Sequence, residues 1–268
     1  MFPADFEGGH ATPRIVSELG AGRAAHAVWC NEIGGVVFQL GEGEGETREF
    51  LKWTPHGNGV DLSREIKRLR WAVEYIVVPR VIKQGADDEG SWFVTAGLAG
   101  TSAVDERWRR EPAKAVRAIG VGLRALHDTL PVAECPFEWS AEDRVARTKE
   151  HAAAGTLDPS KWDESHRHLT VERGLDLLAD IPPVDKLVVC HGDACSPNTL
   201  LDDNGDWCAH VDLDTLGVAD RWADLAVATL ATEWNYGPGW TEPLLAAYGI
   251  EPDWERIAYY RLLWDLCY

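Results

Sequence analysis

Residues 187–224 read LVVCHGDACSPNTLLDDNGDWCAHVDLDTLGVADRWAD, and this stretch decides the fold. It begins with an apolar run, Leu187–Cys190, whose length and composition are typical of a buried strand. Two further short apolar segments, residues 199–201 and 208–211, flank the sequence DDNGD. An Asn-Gly pair between strand-like segments predicts a β-hairpin.

This hairpin predicts a cluster of polar side chains at one end of a sheet. Asn198 immediately precedes the first arm and Asp212 follows the second, while Asp193 lies just after the preceding strand. A carboxylate base, an amide oxygen and a second carboxylate on one rim are what phosphoryl transfer requires. We therefore expect Asp193 to accept the proton of an attacking hydroxyl, and Asn198 and Asp212 to bind Mg²⁺.

Other interpretations of the same residues remain open. Two H-x-D pairs, His191 with Asp193 and His210 with Asp212, are compatible with a hydrolytic metal site, although the other seven of the nine histidines form no matching cluster. Alternatively, these carboxylates are turn residues that cap the hairpin. We interpret His191 as a residue that braces the loop.

The stretch resembles the aminoglycoside phosphotransferases, most closely the 3'-phosphotransferase (kanamycin kinase) group. The family pattern is H-G-D-x4-N followed by I/V-D-x4-G-x-A-D-R/K-x-x-D, and this chain reads HGDACSPN and VDLDTLGVADRWAD. Near the C-terminus, PDWERIAYYRLL resembles the last helix of the family. The resemblance implies an α+β, bilobal protein-kinase-like fold, with a small antiparallel-sheet N-lobe containing one helix and a larger, mainly helical C-lobe.

The chain divides near residue 98. Residues 24–100 read as short strands, including one at 77–81, with one helix, and the sequence AGLAG at 96–100 interrupts the pattern. We expect residues 1–97 to form a nucleotide-binding lobe and residues 98–268 a catalytic and acceptor-binding lobe. Thr95 and Gly97 would lie beside the nucleobase at the hinge.

Lys52 and Glu65 are the further nucleotide-site candidates of the first lobe. Lys52 lies in an apolar strand, where an unpaired ammonium is costly and needs an anionic neighbour. Glu65 borders the apolar face of the helix that starts at Asp61, and the resemblance implies that it pairs with Lys52, which contacts the nucleotide phosphates. Gly34 and Gly35, between two strands, would let backbone N–H groups approach those phosphates.

Composition limits the possible partners. The net charge is −18, from 44 acidic and 26 basic residues, which disfavours nucleic acid and favours a cationic small molecule. We expect no membrane segment, and six cysteines without disulfide spacing indicate reduced thiols in a cytoplasmic protein. We expect a monomer or a weak dimer.

The family implies transfer of the γ-phosphate of ATP or GTP, with Mg²⁺, to a hydroxyl of an aminoglycoside antibiotic, conferring resistance. Glu233, Asp265 and the terminal Tyr268 are the acceptor-binding candidates, although Trp264 replaces one acid of the family's tail and Asp214-Thr215 replaces its Gly-Arg. Asp220, Arg221 and Asp224 are expected to support the Asp212 loop through a helix start and a local ion pair. The alternatives are a related kinase of another small amino-alcohol or sugar metabolite, and a non-catalytic nucleotide-binding protein.

Overall fold

The computed structural model describes residues 12–43 and 45–267. The chain forms two compact units, of which one ends at Gly100 and the other begins at Thr101. The sequence analysis set the boundary after residue 97, three residues before this division.

The first unit is built on a five-stranded antiparallel sheet with strand order β1-β2-β3-β5-β4. Its helices and strands are α1 (Arg14–Gly20), β1 (Ala25–Cys30), β2 (Val36–Leu40), β3 (Glu49–Pro55), α2 (Leu62–Ala72), β4 (Val81–Ala86) and β5 (Gly90–Ala96). Leu40, Leu51 and Val94 belong to one buried cluster, against which Ile15 and Val16 of α1 pack. The alternation of buried and half-buried residues along β2 is the pattern that a strand with one core-facing side requires.

Helix α2 presents an apolar stripe that its sequence spacing predicts. The carboxylate of Asp61 caps the helix by accepting a 2.9 Å hydrogen bond from the Ser63 amide. Leu62, Ile66 and Leu69 are buried, and so is Glu65, although carboxylates are seldom buried without a partner. The stripe therefore fixes the side of the helix from which Glu65 projects.

The prediction of a strand over residues 77–81 is wrong, because β4 begins only at Val81. Pro79 lacks the N–H group that a ladder hydrogen bond needs, so the strand does not extend back through it. Residues 82–86 are exposed along this edge strand, and their sequence IKQGA therefore carries no apolar alternation. Without that alternation, the sequence held no signal for the true position of the strand.

The second unit is mainly helical and contains two small antiparallel sheets, one formed by β7 and β10 and one with the order β6-β8-β9. Its elements are β6 (Thr101–Ser102), α3 (Glu106–Arg109), α4 (Pro112–Thr129), α5 (Ala141–Ala153), α6 (Val171–Leu178), β7 (Leu187–Cys190), β8 (Thr199–Leu201), β9 (Trp207–His210), β10 (Gly217–Asp220), α7 (Trp222–Tyr236), α8 (Thr241–Tyr248) and α9 (Trp254–Cys267). Together the two units confirm the predicted α+β class.

Helix α4 is a central part of the second unit's core. Val116, Ile119, Leu123 and Leu126 recur at helical spacing, and each is at most 1% exposed. Burying each such side chain contributes about 1.5–3 kcal/mol. Helix α7 is buried over residues 222–232 and leaves the core in its last turn. Among residues 12–43 and 45–267, no helix combines the length and apolar character needed to cross a bilayer.

The hairpin predicted around the Asn-Gly pair is present as β8 and β9. One carboxylate oxygen of Asp202 accepts hydrogen bonds from the amides of Asn204 (2.9 Å) and Asp206 (3.0 Å), which closes the turn. In the strand register, Thr199 pairs with His210. The residues just before β8 and just after β9 therefore lie at the same end of the hairpin.

Candidate active site

The loop that follows β7 is held by one buried carboxylate. The amide of His191 donates to Asp224 Oδ2 at 2.6 Å, and the amide of Gly192 donates to Oδ1 at 2.9 Å. The ring of His191 is buried, and its Nε2 donates a 2.9 Å hydrogen bond to the carbonyl oxygen of Val211. His191 thus braces the loop against the residue that precedes Asp212.

Asp193 and Asn198 are directly bonded. The Asn198 side-chain Nδ2 donates to the Asp193 carbonyl oxygen at 3.0 Å and to its carboxylate Oδ2 at 3.1 Å. Because both partners only accept hydrogen bonds, the Asn198 amide nitrogen must face Asp193 and its oxygen must point elsewhere. A 3₁₀ turn, Ser196–Asn198, positions this side chain, and Ser102 Oγ donates to the Pro197 carbonyl at 2.9 Å.

Asp212 adopts a left-handed backbone conformation with φ 62°, which is unfavourable for a residue other than glycine. The preceding residue is fixed, because the Val211 amide donates to the Asn198 carbonyl oxygen at 3.0 Å. Burial raises the pKa of Asp193, and the negative charge of Asp212 raises it further. The sequence-predicted Asp193, Asn198 and Asp212 are thus brought together in one site.

Gly192 allows the loop that carries Asp193 to approach the loop that follows Asp212. Its φ is +87°, and a Cβ atom built there would lie 2.3 Å from the backbone oxygen of Thr215. No side chain fits at that distance, because the neighbouring atom belongs to the main chain. The glycine of the H-G-D sequence is therefore required by the packing of these two loops.

A buried hydrogen-bond network lies behind the loop. His127 Nε2 lies 3.0 Å from Asp224 Oδ2, and His127 Nδ1 lies 2.9 Å from the hydroxyl of Tyr248. Although burial alone raises the pKa of Asp224, the hydrogen bond and charge of His127 bring the net shift below the usual value. The sequence analysis did not identify His127 in this role; its only signal was a histidine at the end of the apolar stripe of α4.

The predicted arrangement around Asp220, Arg221 and Asp224 needs correction. Asp224 binds the loop that carries Asp193 and not the Asp212 loop. Arg221 pairs with Asp185 at 2.6 Å, while Asp220 accepts from the Trp222 amide at 3.1 Å at the start of α7. The helix start is therefore confirmed, but the ion-pair partner is a residue that the sequence analysis did not consider.

The two H-x-D pairs do not form a shared metal site. Within residues 12–43 and 45–267, the side chains whose ligand atoms lie close enough to share an ion are those of His127, Cys190 and Asp224. Both ring nitrogens of His127 and both oxygens of Asp224 already take part in the hydrogen bonds described above. We therefore interpret this group as a structural network.

In the first unit, the contact expected between Lys52 and Glu65 is present. Lys52 Nζ lies 2.7 Å from Glu65 Oε2, and the two side chains are 22% and 6% exposed. Lys52 is central in the sheet, since β3 pairs it with Val37 on one side and Phe93 on the other. An ammonium fixed by a buried carboxylate in this way can present its charge to an anionic ligand.

The glycine turn between β1 and β2 uses its own backbone donors. The amides of Ile33 and Gly35 donate to Asn31 Oδ1 at 3.2 and 2.6 Å, and the Gly34 amide donates to the Asn31 carbonyl at 3.4 Å. The left-handed φ of 86° at Gly34 closes this turn. Phosphate binding by Gly34 and Gly35 stays a prediction.

The predicted hinge residues lie at the end of β5. Thr95 is buried and pairs with Phe50 and Val81 on the neighbouring strands. The Gly97 amide donates to the Arg48 carbonyl at 2.9 Å, and a Cβ atom at Gly97 would lie 2.9 Å from the same oxygen. This close backbone approach explains the glycine, and the nucleobase role of both residues stays a prediction.

The sequence from residue 35 to residue 260 matches the model of the APH phosphotransferase enzyme family. The chain belongs to this family. It is a phosphotransferase, and the site around Asp193 lies within the matched residues.

Individual members of the APH family match along nearly the whole chain. The chain is 37% identical to an aminoglycoside 3'-phosphotransferase of Streptomyces fradiae over 253 residues, which cover 89% of this chain and 93% of that one. Among solved structures, an aminoglycoside-3'-phosphotransferase of type VIII matches with a TM-score of 0.78 and 33% identity, covering 91% and 94% of the two chains. An aminoglycoside phosphotransferase of Streptomyces rimosus, solved with ADP and streptomycin, matches with a TM-score of 0.71 and 27% identity, covering 89% and 94%. These matches confirm the predicted protein-kinase-like fold.

The acceptor-binding candidates of this phosphotransferase are held by internal contacts. Glu233 Oε1 accepts from Thr241 Oγ1 at 2.8 Å and from the Arg261 guanidinium at 3.1 Å. The buried Asp265 accepts from the Asp163 amide at 3.1 Å and pairs with His166. Tyr268 lies outside the described residues. The sequence analysis did not find these partners, and the acceptor roles of the three candidates stay predictions.

Proposed function

We propose that this chain is a kinase that transfers the γ-phosphate of ATP to a hydroxyl group of an aminoglycoside. The observation that carries the proposal is the convergence of Asp193, Asn198 and Asp212 in the second unit, where Asn198 bonds Asp193 directly. Support also comes from the relatives. They are aminoglycoside phosphotransferases, and the chain matches them over nearly their whole length. A kinase of another amino-alcohol is not favoured by these relatives.

Asp193 would act as the base toward the acceptor hydroxyl. Its pKa is raised by burial and by the charge of Asp212, which makes the carboxylate a better proton acceptor than an exposed aspartate. Asn198 fixes the carboxylate through Oδ2. The carboxylate would orient the hydroxyl toward the phosphorus and take its proton late in the transfer, since most of the rate in such reactions comes from positioning.

Asn198 and Asp212 would hold Mg²⁺. The donor set fits, because the amide oxygen of Asn198 is turned away from Asp193 and the Asp212 carboxylate is a hard, anionic oxygen ligand. When bound, Mg²⁺ would neutralise charge on the phosphates of the nucleotide. The left-handed backbone of Asp212 is consistent with this role, because strained residues persist where a functional geometry demands them.

The first unit would bind the nucleotide and the second would carry catalysis and acceptor binding. Lys52, paired with Glu65 at 2.7 Å, would contact the phosphates, and Thr95 and Gly97 would lie beside the base. The pair limits the rotamers open to the lysine, so less conformational freedom remains to be lost when a phosphate binds.

A cationic acceptor suits the charge of the chain. The net charge of −18 attracts a polycationic acceptor and raises its rate of encounter with the protein. Glu233 and Asp265 would contribute negative charge at the acceptor site. All six cysteines are free thiols in the structure, which supports a cytoplasmic location where ATP is available and where drug modification would confer resistance.

A nucleotide-coupled assay with kanamycin, neomycin, streptomycin and a panel of metabolites tests the proposal. Wild-type protein should turn over with at least one aminoglycoside, and Asp193→Ala should reduce kcat by roughly 10²–10⁴-fold because the base is lost. Nucleotide affinity should change little in that variant. Asn198→Ala should instead weaken Mg²⁺-dependent nucleotide binding.

A matched control is Asp203→Ala in the exposed turn of the β8–β9 hairpin, where the Asp203 carboxylate pairs with Arg107 at 3.5 Å on the surface. This variant should keep full turnover. Wild-type turnover by Asp193→Ala would refute the role of the base. Turnover with a metabolite and with no aminoglycoside would refute the proposed acceptor.

A further inference from the structure

An exposed indole projects from the C-terminal end of α7. Trp234 is 48% exposed, although large aromatic side chains usually bury most of their surface. Its ring is not free to move, because Nε1 donates to Asp163 Oδ2 at 2.8 Å and the ring centroid lies 5.5 Å from that of Trp264 on α9. A polar anchor at the edge and an aromatic contact thus hold the ring while half of its surface meets solvent.

Two carboxylates are associated with this indole, one hydrogen-bonded to it and one on the preceding residue of α7. Although burial alone raises the pKa of Asp163, hydrogen bonds from Ser165 and Trp234 lower it below the usual value, so the group is anionic near neutral pH. Glu233, the preceding residue of α7, uses Oε1 for Arg261 and Thr241. Its Oε2 has no hydrogen-bond partner among the described residues and can accept from a ligand.

The C-terminal end of α7 is joined by hydrogen bonds to the segment that carries Asn198. Tyr236, two residues further along α7, donates through its hydroxyl to the Ala103 carbonyl at 2.8 Å, and the Ala103 amide donates to Thr199 at 2.8 Å. Thr199 directly follows Asn198, and α7 contacts the turn that carries Asn198. Trp234 precedes Tyr236 by two residues, about 3 Å along the helix axis, so the indole is carried by the part of α7 that is joined to this segment.

We propose that Trp234 is a specificity-determining residue for the acceptor: one face of an aminosugar ring stacks on the indole while its ammonium groups contact Asp163 and Glu233. This inference rests on the proposed function and names the chemistry that selects the substrate. Aromatic faces attract both cations and the C–H groups that an ammonium polarises. An indole with an anionic hydrogen-bond partner and a neighbouring glutamate therefore favours a hydroxylated cationic ring over a neutral sugar.

Two substitutions separate the aromatic face from the hydrogen bond to Asp163. Trp234→Phe keeps a ring but loses the N–H donor, whereas Trp234→Gln loses the ring but keeps an N–H donor that can reach Asp163. We expect Trp234→Gln to raise the acceptor KM by roughly 5- to 30-fold, and Trp234→Phe to raise it by less than about 3-fold. In both variants, the KM for ATP and the slow acceptor-independent hydrolysis of ATP should stay at the wild-type level.

The control is Trp254→Gln at the start of α9. Trp254 is 57% exposed, and the helix rise separates it from Trp264 by about 15 Å. This variant should keep the wild-type acceptor KM. Unfolding midpoints measured for all variants verify that each one folds.

The outcomes distinguish this inference from the proposed function. A wild-type protein that phosphorylates no aminoglycoside would overturn the proposed function and the inference with it. Aminoglycoside phosphorylation by the wild type, with an unchanged acceptor KM in Trp234→Gln, would overturn the inference alone. A larger KM increase in Trp234→Phe than in Trp234→Gln would also overturn it, because the hydrogen bond and not the ring would then be decisive.

Discussion

Replacement of Asp224 should destabilise the protein and impair catalysis together. Its buried carboxylate accepts from the amides of His191 and Gly192 and from the ring of His127, at 2.6, 2.9 and 3.0 Å. Asp224→Ala would leave three buried donors without a partner, each of which costs about 1–3 kcal/mol. Allowing for relaxation and water entry, we expect the free energy of unfolding to fall by about 3–5 kcal/mol.

Asp224→Asn is the more informative variant because it preserves the shape of the side chain. Its single oxygen can still accept two of the three hydrogen bonds, while its NH₂ group faces the remaining donor. We expect a loss of about 2–3 kcal/mol. The turnover number should also decrease, because His191 and Gly192 precede Asp193 directly and the loop loses its anchor.

Urea unfolding at pH 7 and steady-state kinetics measure both effects. Asp128→Asn serves as the matched control, since Asp128 pairs with Arg124 on the surface of α4 and is 44% exposed. Its unfolding free energy should change by less than about 1 kcal/mol. An Asp224→Asn protein with the stability and turnover of the control would refute the reasoning.

The acid side of the stability profile provides a second check on Asp224. Its pKa is lowered in the folded state by His127, although burial opposes this effect. Its stabilising contribution is therefore fully present above the ordinary carboxyl pKa of 3.8 and is lost as the pH falls through the lower folded value. The Asn variant should lack this acid-side loss.

Two further predictions concern the same region. Gly192→Ala should lower the unfolding free energy by more than about 2 kcal/mol, because it combines an unfavourable φ with a 2.3 Å approach of the new Cβ atom to Thr215. The control is Gly22→Ala, where φ is similar but no atom lies near the new Cβ. In the same urea titration this control should lose only about 1 kcal/mol. Burial, and then the neighbouring His191, lower the pKa of His210 to about 3, so the unfolded chain binds one more proton between about pH 3 and 6.5. Stability should therefore rise with pH across that window, and His210→Phe should reduce the slope by up to about 1.4 kcal/mol per pH unit; equal slopes in both proteins between pH 5 and 7 would contradict this.

The sequence predicted the site around Asp193 because its parts lie close together in the chain. The hairpin depends on one Asn-Gly turn, and Asn198 and Asp212 flank its two arms directly. Once the turn forms, the strand pairing fixes the positions of these two residues. Lys52 and Glu65 were predicted for a similar reason, since a lysine in an apolar strand requires an anion nearby.

The remaining parts of the site depend on contacts between distant residues. Asp224 follows Gly192 by 32 positions, and no local pattern shows that its carboxylate binds that loop. Arg261 lies 28 positions after Glu233 and binds one of its two carboxylate oxygens. No local sequence pattern predicts this ion pair either. The exposed strand β4 was misplaced because its residues have no buried side to reveal its period.

The site is costly for the fold to maintain, and this explains why its supports are buried. Asp193 and Asp212 repel each other, and Asp212 holds a backbone conformation that costs about 1–2 kcal/mol. This repulsion and this backbone strain would favour a different loop conformation unless stronger contacts held the loop in place. Asp224 supplies them from inside the second unit, where water competes least and a hydrogen bond to a charged group is strongest. Asp224 therefore supports the loop that carries Asp193 without taking part in the proposed chemistry.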